Sequence, residues 1–146
     1  MRPGDQLERL CNAGRQAIVL VAPFIKAATL ARLLSQIQPD VTVNCVTRWR
    51  PEEIAAGVSD LEVWPILCAR PQSTLWLSNA LHAKYYRADE TCLIGSANLT
   101  GAALGWSAQP NLELLVELSA NDAQCVSFER ALWAPRSRLM RICTRC

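Results

Sequence analysis

The chain holds one histidine, and it opens the stretch Leu81-His82-Ala83-Lys84-Tyr85-Tyr86-Arg87-Ala88-Asp89, with Gly95-Ser96-Ala97-Asn98 close behind. An imidazole acts as a nucleophile or a proton carrier near neutral pH. The lysine two residues later brings positive charge, the acid beyond it a further polar group, and the Gly-Ser-x-Asn run small residues and an amide. These groups suit phosphate esters: one attacks phosphorus while others balance the charge on its oxygens. With His82 used in this way, no second imidazole in the same chain remains to protonate the leaving group. That shortage bears on assembly as well as on chemistry.

Those side chains need elements to hold them. Side chains alternate across a strand, so a strand over 81–87 would project His82 and Lys84 from one face. The pattern predicts a neighbouring strand at 75–77 and another at 91–94. Residues 111–118 alternate, with Leu112, Leu114, Val116 and Leu118 on one face and Asn111 and Glu113 on the other. The apolar run 17–22 ends at Pro23 and reads as a strand buried on both faces, with 41–46 a second one leading into Thr47-Arg48-Trp49-Arg50. Arg48 and Arg50 stand at a strand's end where ligands approach, or else pair with Glu52 or Glu53. Residues 95–100 follow a strand and open a helix, where small residues let backbone N–H groups meet an anion.

Helices are predicted over 5–16, from Leu7, Leu10 and Cys11, and through Leu30, Leu33, Leu34 and Ile37 up to Pro39. Another starts at Pro51, with acids in its first turn. Pro65 is expected to kink or end any helix running on from Leu61. The last is capped by Asn121-Asp122, passes Trp133 and stops at Pro135. Strands alternating with helices predict an α/β layer fold with a mixed sheet.

At 146 residues the chain is read as one domain, with a lead-in helix over 1–16 and a basic tail over 136–146. Half of it is apolar (51%) and 19% charged, an ordinary globular composition. No apolar run is long enough to span a bilayer and no signal-peptide core follows Met1, so the expectation is cytoplasmic with no stable membrane association. Net charge is only +2, which alone does not indicate nucleic acid, although thirteen of the fifteen basic residues are arginine. Of the seven cysteines, Cys45, Cys68, Cys92 and Cys125 lie in apolar stretches and read as small core residues. Cys143 and Cys146 form half of a zinc-knuckle spacing without the other half, so no metal is assigned. Trp49, Trp76, Trp106 and Trp133 read as packing residues, with Trp106 the one to test for substrate contact.

His82-x-Lys84-(x4)-Asp89 followed by Gly95-Ser96-x-Asn98 resembles the HKD motif of the phospholipase D superfamily. Leu81-His82-Ala83-Lys84, Gly95-Ser96-Ala97-Asn98-Leu99-Thr100 and Asn111-Leu112-Glu113-Leu114 are most similar to its nuclease branch, which includes single-motif endonucleases. The resemblance runs over 17–133. It departs at one place, with five residues between Asp89 and Gly95 where six are commoner. It implies phospholipase D-like αβα layers with one HKD half per chain, and a nuclease or phosphodiesterase needing no metal or cofactor. One histidine forms a phosphohistidine and another serves the leaving oxygen. Carried over by position, His82 is nucleophile or acid, Lys84 and Asn98 hold phosphate oxygens, and Ser96 is an accessory donor. Glu113 orients the histidine ring, and Asp89 is a catalytic helper or a turn acid. Arg48, Arg50, Gly95, Thr100, Asn111 and Trp106 complete the expected substrate contacts. The lone histidine implies a homodimer with one shared site acting on DNA or RNA. The rival readings are a phospholipase or phosphatidyltransferase, and a non-catalytic nucleic-acid-binding module.

Overall fold

Short apolar runs form the centre of the molecule. A computed structural model describes residues 1–142. Strand β1 (Ala17–Val21) lies parallel to β2 (Thr42–Thr47), Ala17 facing Thr42 and Val21 facing Val46. Ile18, Leu20 and Val21 are fully buried because layers cover both faces, as their unbroken hydrophobicity requires. The chain crosses through α3 (Pro51–Ala55) and α4 (Val63–Cys68) to β3 (Ser73–Leu77), parallel to β2. It then returns to the other side of β1. There β4 (Tyr85–Ala88), β5 (Thr91–Gly95) and β6 (Leu115–Ser119) add in antiparallel succession. Strand β7 (Met140–Ile142) closes the opposite edge against β3, giving the order β6-β5-β4-β1-β2-β3-β7.

Helices α1 (Pro3–Ala13), α2 (Ala27–Leu34) and α4 bury Leu7, Leu30, Leu33 and Leu67 in the core on one face, with the single turn α5 (Gly101–Leu104) beside α1. Helix α6 (Ala123–Trp133) covers the other face with Cys125, Phe128 and Leu132. Its N-cap Asp122 accepts from the Gln124 amide. Glu129 ties it to the sheet through Arg87 and the Tyr85 hydroxyl. The result is an α/β fold of αβα layers around a mixed sheet.

Several sequence expectations are corrected. The 75–77 and 81–87 segments are not neighbours: β3 and β4 lie on opposite sides of the β1–β2 pair, an order no local pattern encodes. Regular pairing in the second segment starts only at Tyr85, so His82 and Lys84 sit in the approach to β4. Pro65 neither ends nor kinks a helix. It lies in the first turn of α4, where its missing N–H has no partner to lose. The apolar face of 111–118 does not reach the core. Leu112, Leu114 and Val116 are 102%, 66% and 46% exposed, and only Leu118 packs beneath α6. The tail carries β7 at its start, while Cys143 and Cys146 lie outside the described residues. Cys45, Cys92 and Cys125 are buried and Cys68 is half-buried. Among the described residues no helix is long and apolar enough to cross a membrane, and no cluster of three His, Cys, Asp or Glu side chains could hold a metal.

Candidate active site

The carboxyl ends of β1 and β2 and the entry to β4 meet at one end of the sheet, where α/β sheets commonly present their ligands. His82 is exposed there and its imidazole makes no hydrogen bond among the described residues. Lys84 is half-buried and its carbonyl accepts from the Gly95 amide at 3.4 Å. The Ser96 amide donates to the Leu114 carbonyl at 3.0 Å, so both ladders run at least one residue past their strands. Beyond the regular strands Lys84 lies against Gly95, and Ser96 against Leu114. The segments around Lys84, Ser96 and Glu113 thus meet at one end of the sheet.

Glu113 is clamped. The Ser96 hydroxyl donates to one carboxylate oxygen at 2.7 Å, and the Asn111 amide donates to the other at 3.2 Å. Ser96 Oγ in turn accepts from the Leu114 amide at 3.0 Å. The carboxylate is therefore oriented by Ser96 and Asn111, and its expected contact with the His82 ring is not made within one chain. Gly95 makes this clamp possible. A Cβ at that position would lie 1.8 Å from the Leu114 carbonyl oxygen, so any side chain would force β6 away. Its contribution is close approach of backbone, where substrate contact had been expected.

Asn98 is fixed by its acceptor end: Oδ1 takes the Phe24 amide at 3.1 Å, leaving its Nδ2 donors for a ligand. Its neighbours are stitched to the extension of β1, since Leu99 donates to the Phe24 carbonyl and accepts from the Lys26 amide. The Tyr86 hydroxyl holds the Ala97 carbonyl at 2.6 Å. A cleft of about 480 Å³ opens beside Asn98, walled by Phe24, Lys26, Thr100 and Asn111. Sequence reading missed Phe24 and Lys26 here. Neither residue type signals a site, and only the β1 extension brings them to Asn98. A larger cleft of about 600 Å³ lies at the other end of the sheet, against α1 and Asp89, away from these groups.

The remaining expected residues fall elsewhere or are otherwise engaged. Asp89 ends β4, seven residues from His82, roughly 20 Å along an extended chain. It occupies a left-handed turn conformation (φ 52°), and its carboxylate accepts from the Arg15, Gln16 and Ala17 amides at 2.8, 2.9 and 3.0 Å. Burial alone would raise its pKa, but those three donors outweigh it and hold the carboxyl below its usual range. A lowered folded-state pKa adds stability above the unfolded value that is lost as pH falls through the folded one. Asp89→Asn is therefore expected to cost about 2 kcal/mol in urea unfolding at pH 7, less in acid, with turnover unchanged. Loss of turnover at full stability would return Asp89 to the chemistry.

Arg48 takes the pairing alternative: its guanidinium binds Glu53 and the Leu81 carbonyl. Arg50 donates to the Asn79 carbonyl at 3.0 Å. Thr100 caps α5 by accepting from Ala103, and the helix it opens is one turn long. Trp106 packs toward α1 and α2, with the Arg32 guanidinium 3.7 Å above its ring.

The sequence matches no family model and no curated protein. Solved structures share its fold. Nuc from Salmonella typhimurium, a phospholipase D family member, has 17% identity and a TM-score of 0.70 over 97% of this chain and 90% of its own. A phosphatidylserine synthase from Haemophilus influenzae has 13% identity and a TM-score of 0.68, over 88% of this chain but 34% of its own. The archaeal chromatin protein TrmBL2, whose structure shows a mode of DNA binding, has 10% identity and a TM-score of 0.58 over 97% of this chain and 52% of its own. The chain accordingly has the α/β fold seen in phospholipase D family structures.

Proposed function

We propose that the chain is a metal-independent phosphodiesterase of nucleic acids that works through a phosphohistidine in a site shared by two copies. The observation that carries this reading is the exposed, unengaged imidazole of His82 beside Lys84, the anchored Asn98 amide and the Ser96–Glu113–Asn111 clamp, all at one end of the sheet. A ring nitrogen of His82 attacks phosphorus; an N–P bond forms as the ester P–O bond breaks. The leaving oxygen takes a proton from the imidazolium of the second copy's His82. That ring, now neutral, removes a proton from water, whose oxygen displaces His82 and leaves a phosphate monoester. Lys84 and the Nδ2 donors of Asn98 balance charge on the non-bridging oxygens throughout.

The exposed row Leu112, Leu114 and Val116 supports a docking place for the second copy. Exposed leucines leading into an edge strand are a standing invitation to pairing. Leu112 and Leu114 flank Glu113 in sequence, so a copy covering them would approach the site itself. The nuclease-like wording of 95–100 and 111–114 supports nucleic acid as substrate, with the cleft beside Asn98 receiving its flank. The fold is also that of a phosphatidylserine synthase and of a chromatin protein, so it does not choose the substrate.

Cleavage of single- or double-stranded oligonucleotides in excess EDTA is the expected result. Strict dependence on a divalent cation would overturn the mechanism. Headgroup release from phospholipid vesicles, with oligonucleotides untouched, would overturn the substrate.

A further inference from the structure

We propose that Arg48 is a positioning residue that sets the presentation of the His82 imidazole through the Leu81 carbonyl, without meeting substrate. This rests on the reading of His82 given above. Arg48 is 7% exposed, and its Nη1 donates to the Leu81 oxygen at 2.8 Å. Its Nε and Nη2 grip the two oxygens of Glu53 at 3.0 and 2.5 Å, a forked pair that fixes the plane of the guanidinium. The Arg48 side of the Phe24 ring adds a contact at 5.4 Å from ring centre to guanidinium carbon.

Peptide planarity carries this grip to the histidine. The Leu81 oxygen, the His82 nitrogen and the His82 Cα lie in one plane, so a held carbonyl fixes the position of the His82 Cα and leaves φ as the rotation that turns its side chain. Downstream, the next hydrogen-bonded backbone group is the Lys84 carbonyl on Gly95. Upstream, the same β2–α3 segment holds the loop at two further points: Thr47 accepts from the Ser78 amide at 2.9 Å, and Arg50 donates to Asn79. Thr47 is itself pinned, its hydroxyl donating to the Pro23 carbonyl at 3.1 Å. The His82 ring has no hydrogen bond of its own to orient it among the described residues, so the backbone brace carries that task. Lysine could reach one partner but cannot reproduce the planar fork on Glu53 while donating to Leu81.

The test uses Arg48→Lys and the double variant Arg48→Met/Glu53→Gln, which removes the pair without stranding a carboxylate. Oligonucleotide cleavage gives kcat and KM, urea unfolding reports the fold, and the ring resonances of the single histidine report its presentation directly. The double variant is expected to lose about 10- to 100-fold in kcat with KM within about threefold, and to shift the imidazole resonances while remaining folded. Arg48→Lys is expected to recover part of both. Unchanged kcat and unchanged ring signals in the folded double variant would overturn the proposal. So would a KM effect with kcat intact, which would make Arg48 a substrate ligand. If the wild-type protein does not cleave, the phosphodiesterase reading falls, and the ring signals still decide the brace.

Discussion

His82→Ala is expected to abolish cleavage, with kcat down by about 10⁴-fold or more, because the nucleophile and the acid that serves the leaving oxygen vanish together. The side chain is exposed and has no hydrogen bond among the described residues, so unfolding midpoints should stay near wild type. Mixing makes the experiment sharper. If each dimer needs two histidines in unlike roles, a wild-type/His82→Ala pair is dead. An equal mixture allowed to exchange then retains about one quarter of the activity expected of all-wild-type dimers. Retention of one half would mean that each chain has a complete site. Activity surviving in His82→Ala alone would remove the histidine from the mechanism.

Leu112→Asp with Leu114→Asp is expected to separate the two copies. Burying a leucine is worth about 1.5–3 kcal/mol, and a twofold interface counts each position twice. Covering both residues on both copies therefore amounts to about 6–12 kcal/mol, more than 10⁴-fold in the dimer dissociation constant. Sedimentation should show monomers at concentrations where wild type is dimeric. Cleavage should fall in parallel, since an isolated chain has one histidine. Dimers that persist and cleave normally would place the interface elsewhere. Because both residues face solvent in the single chain, the substitutions leave its core intact.

The candidate residues could be named because their types and order carry chemistry that local sequence preserves. His82, Lys84, Ser96, Asn98, Asn111 and Glu113 lie on segments that the sheet brings to one end. Their strands were legible for the same reason: 17–21 and 91–95 are apolar and bounded by turn residues. What failed was whatever depends on distance in the fold. Asp89 stands close to His82 in sequence, but a strand between them sends it to the opposite end, where three backbone amides claim its carboxylate. The neighbourhood of β3 and β4 was misjudged because the chain crosses β1 and β2 before pairing again. The leucine face of 111–118 looked like core since periodicity records which residues share a face, not whether anything covers it. For Arg48 the sequence left open a ligand role or a pairing with Glu52 or Glu53, and the fold shows it paired with Glu53.

The stitching of Ala97 and Leu99 to Tyr86, Phe24 and Lys26 has a kinetic meaning. The Asn98 amide is anchored by the same contacts that close the core, so its entropy of ordering is settled during folding. On the proposed function, a substrate would bind at this flank without a closing motion. Hydrogen exchange at Leu99 and Lys26 should accordingly be as slow as in the central strands, whether or not an oligonucleotide is present.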